Sequence, residues 1–128
     1  MTTVLRLGIL SIFLGVLAGC SSMPSPPRNA LNLCSVFAEK TEWRKPTLRT
    51  EKRWNIPASV LMATMFHESS YRADARPPRR YFLGFIPGPR PSTAYGYAQA
   101  LDGTWDEYVS RNSRWFASRD DFDDAIEF

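Results

Sequence analysis

The sequence holds 128 residues, 44% of them hydrophobic, with 16 Lys/Arg against 13 Asp/Glu and a formal net charge of +3. Behind an N-terminal apolar stretch and a Ser/Pro-rich run, about one hundred residues remain, enough for one small domain and too few for two. Charge is unevenly laid out: residues 28–90 carry twelve Lys/Arg and five Asp/Glu, a net of +7, and residues 91–128 carry three against eight, a net of −5.

Arg6 supplies a small positive region, and Leu7 to Leu17 form an apolar stretch of eleven residues. That is too short for a membrane-spanning helix, which needs about 20 residues, and suits the core of a signal peptide. The stretch ends in Leu17-Ala18-Gly19-Cys20, which resembles a bacterial lipoprotein lipobox. The resemblance implies a signal peptide over 1–19 and lipidation of Cys20 as the mature N-terminus. Each buried methylene of such an anchor contributes about 0.8 kcal/mol, so several chains hold firmly to a membrane. Ser21 and Ser22, with no Asp beside the cysteine, resemble the pattern of Gram-negative outer-membrane lipoproteins, and that resemblance implies the periplasmic face of the outer membrane. The lipidated Cys and the Ser21–Pro27 run make a tether over 20–30, because Pro and Ser build no core and Pro favours an extended chain. Cys34 is then left unpaired, so no disulfide framework is expected, and its apolar neighbours mark it as a small core residue. An exported lipoprotein rarely meets nucleic acid; the basic half suits cell-wall polymer, lipid headgroups or a solvated surface.

From residue 31 the chain reads as mainly α. Leu33, Val36, Phe37 and Trp43 recur at helical spacing over about Leu31 to Lys45, ending before Pro46. Thr47 to Trp54 is a basic turn or two of helix. Pro57 then opens the central helix, since a proline in the first turn gives up an N–H that has no partner there anyway. From Ala58 to about Ser69 the segment is apolar nearly all round, which predicts a buried helix. Five of the ten prolines fall in Arg76–Pro91 and exclude a long helix, leaving Tyr81–Ile86 as a short strand or hairpin. Asp102 or Thr104 caps a further helix through Trp105 and Tyr108. Asp120-Asp121-Phe122-Asp123-Asp124 opens a last helix, with acids where its N-terminal dipole favours them.

Glu68 closes the apolar run and opens the polar one Ser69-Ser70-Tyr71-Arg72. A carboxyl at the end of a buried helix is kept from ionising by desolvation, and a neutral carboxyl can donate a proton to a leaving group. The pair His67-Glu68 does not make a zinc site, because the metallopeptidase spacing needs a second His where Tyr71 stands. His67 is the only histidine, so a Ser-His-Asp triad and the usual zinc sites are poorly supported, and no glycine loop cradles phosphate. Neither metal nor cofactor is expected.

Glu68-Ser69-Ser70-Tyr71-Arg72-Ala73-Asp74-Ala75, followed by Ala94-Tyr95-Gly96-Tyr97-Ala98-Gln99, resembles the soluble lytic transglycosylase domain of the lysozyme-like superfamily. In that family a catalytic Glu followed by Ser ends a buried helix, and a second motif, usually Gly-Leu-Met-Gln, builds the substrate groove. Glu68, Ser69, Gly96, Gln99, Thr104 and Trp105 match the pattern; Tyr97 and Ala98 depart from it. The resemblance implies a lysozyme-like domain over 31–128 with Glu68 as catalytic acid. Ser69 would orient its carboxyl or cap the helix, Gln99 would bind an acetamido or carbonyl group or stay a solvated loop residue, and Tyr95 and Tyr97, flanking Gly96, would stack on sugars or join the core.

The implied reaction is non-hydrolytic cleavage of the β-1,4 bond between N-acetylmuramic acid and N-acetylglucosamine in peptidoglycan, by a monomer. The nucleophile is then the substrate's own 6-hydroxyl. Hydrolysis would need a second carboxylate about 5–9.5 Å away, for which Asp74, Asp102 and Asp106 are the nearby acids. Asp74 reads as solvated and Asp102 as a cap. The chain reaches Phe128 without the family's third, Ala-Tyr-Asn-like motif, so the expectation is a shortened or C-terminally incomplete domain with apolar surface exposed. A non-catalytic lipoprotein that tethers peptidoglycan to the membrane is the alternative.

Overall fold

The computed structural model describes residues 23–128; the expected signal peptide (1–19), Cys20 and its two following serines lie outside them. Five helices and one hairpin follow in chain order: α1 Leu33–Glu39, α2 Thr41–Trp54, α3 Ala58–Ser69, β1 Tyr81–Phe82, β2 Ile86–Pro87, α4 Asp102–Asn112 and α5 Phe122–Glu127. The two strands pair antiparallel, Tyr81 opposite Pro87 and Phe82 opposite Ile86. The mainly helical class and the short hairpin agree with the sequence reading. At the near end of the expected tether, Pro27 is buried and the Arg28 N–H donates to Glu39 (3.0 Å).

Helix boundaries follow local chemistry. Asn32 starts α1 by accepting the Ser35 N–H on its side-chain oxygen (3.0 Å). The expected stop at Pro46 is not where the chain breaks. Lys40 leaves the helical region (φ −114°, ψ 68°), and α2 then runs through Pro46 to Trp54. A proline inside a helix forfeits one hydrogen bond and crowds the preceding turn. Pro46 is buried, and packing of its ring offsets that loss.

α2 is the spine, packing against α1, α3 and α5. Its Trp43 is the hub of the core: stacked on Phe122 of α5 (centroids 4.1 Å apart, 4° between planes), edge-on to Tyr97 (5.6 Å) and tilted against Tyr71 (5.5 Å). Aromatic rings prefer such offset and edge contacts, and each buries a large apolar area. Val36, Met62, Met65, Ala73, Ala125 and Ile126 complete the cluster.

The charge asymmetry of the sequence closes on itself. Arg49 and Arg53 of the basic half pair with Asp123 and Glu127 on α5. Arg114 adds contacts to Asp124 and Glu127, each 2.5 Å. Asp121 caps α5, its side chain accepting the Asp124 N–H (3.0 Å), as the acidic run predicts.

Three expectations are corrected. α3 is not buried all round: Met62, Met65 and Ser69 face the core, Leu61 and Phe66 are half-buried, and Val60, Ala63, Thr64 and Glu68 face outward. Cys34 is exposed, because on the short α1 it is Val36 that turns inward. Asp102 does not cap α4: Leu101 occupies that position, Asp102 pairs with Arg119 (2.8 Å), and its N–H donates to the Thr93 hydroxyl (3.1 Å).

Candidate active site

α3 delivers Glu68 to the protein surface one residue before the helix ends. Ser70 and Tyr71 then both adopt left-handed backbone (φ 53° and 59°), turning the chain sharply away. Each such non-glycine residue costs roughly 1–2 kcal/mol, so something must hold it. Tyr71 does: its ring is buried against Trp43 and Phe66, and its hydroxyl donates to the Met62 carbonyl of α3 (3.0 Å). Burial pushes the Tyr71 phenol above its ordinary range. Tyr71 lies in the run read from the sequence, but its composition alone does not announce that it folds back onto α3.

The Glu68 side chain is 43% exposed, and His67 Nδ1 stands 4.0 Å from its carboxyl, too far for a hydrogen bond. The apolar enclosure expected around this carboxyl is therefore absent from the protein's own atoms, because the outward face of α3 carries it. Ser69 turns the other way. It is buried, and its hydroxyl donates to the Met65 carbonyl (3.0 Å), so it ties down the helix end and does not orient Glu68.

The second motif meets this region through backbone. Ala75, in the loop behind Glu68, offers its carbonyl to the Gly96 N–H (3.0 Å) and to Gln99 Nε2 (2.9 Å). Gln99, itself left-handed at φ 50°, donates also to the Gly96 carbonyl (2.8 Å). Its amide nitrogen is thus spent on main chain, where the sequence reading had it meeting substrate. Tyr97 is 1% exposed and stands in the core edge-on to both rings of the Trp43–Phe122 stack, which removes it as a sugar platform and raises its phenol to about 12 through burial. Gly96 is buried with φ +78°, and a Cβ there would fall 2.0 Å from the Arg119 carbonyl oxygen, so its role is close packing.

Tyr95 remains partly accessible. The Arg76 guanidinium lies 3.9 Å over its ring and that of Arg119 5.3 Å, while its hydroxyl donates to Asp120 (2.9 Å). Burial and that bond raise the Tyr95 phenol. Burial pushes the Asp120 carboxyl up, but hydrogen bonds from Ser118 and Tyr95 outweigh it and hold Asp120 below its ordinary value. Arg119 also donates to the Ala100 carbonyl (2.9 Å) and pairs with Asp102. Beside this cluster Arg76, Arg90, Ser92, Thr93 and Asp102 line an open depression of about 450 Å³. Arg119 and Asp120 stand far down the chain from the motif they brace: Asp120 belongs to the acidic run read only as a helix start, and nothing in the sequence marks Arg119.

What results is an accessible carboxylate at a pinned helix end, and a second loop clamped between Ala75 and Arg119. Such a rigid frame can position a polymer against one acid. Comparison with curated proteins found no match, and neither did comparison with solved structures. The family model described as transglycosylase SLT domain matches residues 8–128. With nearly its whole length so matched, the chain belongs to the transglycosylase SLT domain family.

Proposed function

We propose that the protein is a peptidoglycan lytic transglycosylase in which Glu68 serves as both acid and base. The observation that carries this reading is the open Glu68 carboxyl at the fixed end of α3 in a chain of this family. As acid, Glu68 protonates the oxygen of the N-acetylmuramic acid–N-acetylglucosamine bond, and that bond breaks. As base, it takes the proton of the muramic acid 6-hydroxyl, whose oxygen closes the 1,6-anhydro ring. The proton lent to the leaving sugar is thereby recovered, and no water is consumed. The bound glycan covers the exposed carboxyl and excludes bulk water from the reacting bond.

Of the residues assigned to substrate from the sequence, Tyr95 is partly accessible, with the Arg76 guanidinium over its ring; Ser69, Gly96, Tyr97 and Gln99 support the frame. Lipidation at Cys20 and residence on the periplasmic face of the outer membrane complete the proposal. The test is digestion of purified sacculi: anhydro-muropeptides appear with the wild-type chain and vanish with Glu68→Gln. A second reading, a non-catalytic peptidoglycan-binding lipoprotein, draws on the inward placement of Tyr97 and Gln99. It requires sedimentation with sacculi that survives Glu68→Gln and releases no product from the wild type.

A further inference from the structure

The hairpin joins the site's two motifs in sequence but projects away from the core. Tyr81, Phe82, Leu83, Phe85 and Ile86 are between 42% and 72% exposed. Neighbouring strand residues point to opposite faces, and here both faces are open, whereas a sheet laid on a domain buries one. Single exposed apolar residues are ordinary; five within six positions form a contiguous patch that marks an interaction surface.

The hairpin has a defined shape. Leu83 (φ +52°) and Gly84 (φ +79°) are both left-handed, and the Phe85 N–H donates to the Phe82 carbonyl (3.3 Å), giving the mirror-image turn that suits a tight hairpin. Glycine takes that conformation freely and leucine does not, yet a leucine occupies the tip. At the base, the Gly88 N–H donates to the Arg80 carbonyl (2.7 Å) and Arg79 donates to the Gly88 carbonyl (3.2 Å).

Charge identifies the partner. Residues 75–101 contain four arginines, Arg76, Arg79, Arg80 and Arg90, and no Asp or Glu. A compact apolar tip with the exposed Arg79 and Arg80 at its base matches a surface that is apolar below and anionic above. Sugar-binding sites pair flat aromatic faces with polar groups; the hairpin has exposed rings at Tyr81, Phe82 and Phe85, but residues 79–90 hold no Asp, Glu, Asn or Gln to pair with them. We propose that the 81–86 hairpin docks into the surface of an anionic lipid bilayer, its tip among the acyl chains and Arg79 and Arg80 at the lipid phosphates. This contact is made by the folded domain and is separate from acylation at Cys20 and from the Glu68 reaction.

Hydrogen exchange on the full chain in lipid vesicles reads the hairpin amides apart from any N-terminal anchor. In vesicles of phosphatidylcholine with phosphatidylglycerol, amides of 81–86 exchange more slowly than in pure phosphatidylcholine. Replacing all of Phe82, Leu83 and Phe85 by Ser abolishes the difference. Arg79→Gln and Arg80→Gln each reduce the protection roughly fivefold, the weight of one basic residue near an anionic surface. Equal exchange in the two kinds of vesicle overturns the proposal. Protection by soluble glycan strands with none from anionic vesicles also overturns it and assigns the hairpin to sugar.

Discussion

Gly96 rests on the carbonyl group of Arg119: a β-carbon at position 96 would lie 2.0 Å from that oxygen and 2.5 Å from its carbon. The next N–H, of Tyr97, donates to the same oxygen (3.1 Å), so the two segments cannot separate without losing a bond. Because backbone opposes backbone, a side chain at 96 cannot be accommodated by rotating a neighbour. Gly96→Ala should therefore destabilise the fold by about 2–4 kcal/mol, combining overpacking with left-handed strain. Urea unfolding followed by circular dichroism measures it; a loss under about 0.5 kcal/mol, the scale of an ordinary surface change, would contradict this packing.

Tyr71 is expected to matter to the Glu68 helix end through its hydroxyl as well as its ring. Tyr71→Phe keeps the aromatic contacts and removes the bond to the Met62 carbonyl, costing about 1 kcal/mol. Tyr71→Ala loses the ring too and should cost about 3–5 kcal/mol. Thermal unfolding of both variants beside wild type separates the two contributions. Equal losses would refute the division.

The pH range of stability has two predictable edges. Burial pushes the Glu127 carboxyl up, but hydrogen bonds and charge from Arg114, Arg53 and Arg49 prevail and hold it below its ordinary 4.5. Since its folded value lies below its unfolded value, the stabilisation is present above about pH 4.5 and lost as the pH falls through the folded value. Asp120 adds to the same acid edge. Tyr97, raised from 10.0 to about 12, behaves oppositely: stability is retained below pH 10 and lost as pH climbs toward 12. Glu127→Gln should flatten the acid limb of a stability–pH curve and Tyr97→Phe the alkaline limb. Unchanged limbs in both variants would remove these groups as the cause.

Two buried threonines on α2 make opposite predictions. Thr47 donates to the Trp43 carbonyl (2.7 Å) and lies 3.5 Å from the Met62 sulfur. Thr50 is as well buried, yet its hydroxyl has no partner among the described residues. A buried unpaired hydroxyl costs about 1–3 kcal/mol, whereas a paired one contributes about 1 kcal/mol. Thr50→Val should raise the urea midpoint and Thr47→Val should lower it. The reverse order would show that Thr50 is solvated or bonded in solution.

Much of the fold was legible before any coordinates. The acidic run at 120–124 announces the start of α5, because capping by Asp121 is a local bond between a side chain and an N–H three residues on; the Asn32 cap of α1 is equally local but lies inside the segment that apolar spacing reads as helix. The prolines between 76 and 91 exclude helix by covalent geometry alone. Pro46 misled for a complementary reason: its local penalty is real, but burial of its ring, a long-range effect, outweighs it. The all-round apolar character of α3 likewise predicted burial on every face, but among the described residues only its Met62, Met65 and Ser69 side is covered.

At the candidate site, residue type was legible and direction was not. Glu68, Ser69, Gly96, Tyr97 and Gln99 were all identifiable by their order along the chain. Only the folded chain decides that Glu68 faces water, that Ser69 and Tyr97 face inward, and that the Gln99 amide binds main chain. Adjacent residues on a helix point about 100° apart, so the face each one takes depends on where α2 and α5 pack. The same holds for charge. Composition separates a basic half from an acidic one, but the pairing of Arg49 and Arg53 with Asp123 and Glu127 requires α5 to return onto α2. Short-range chemistry is written in neighbouring residues, while burial and partnership belong to contacts between distant ones.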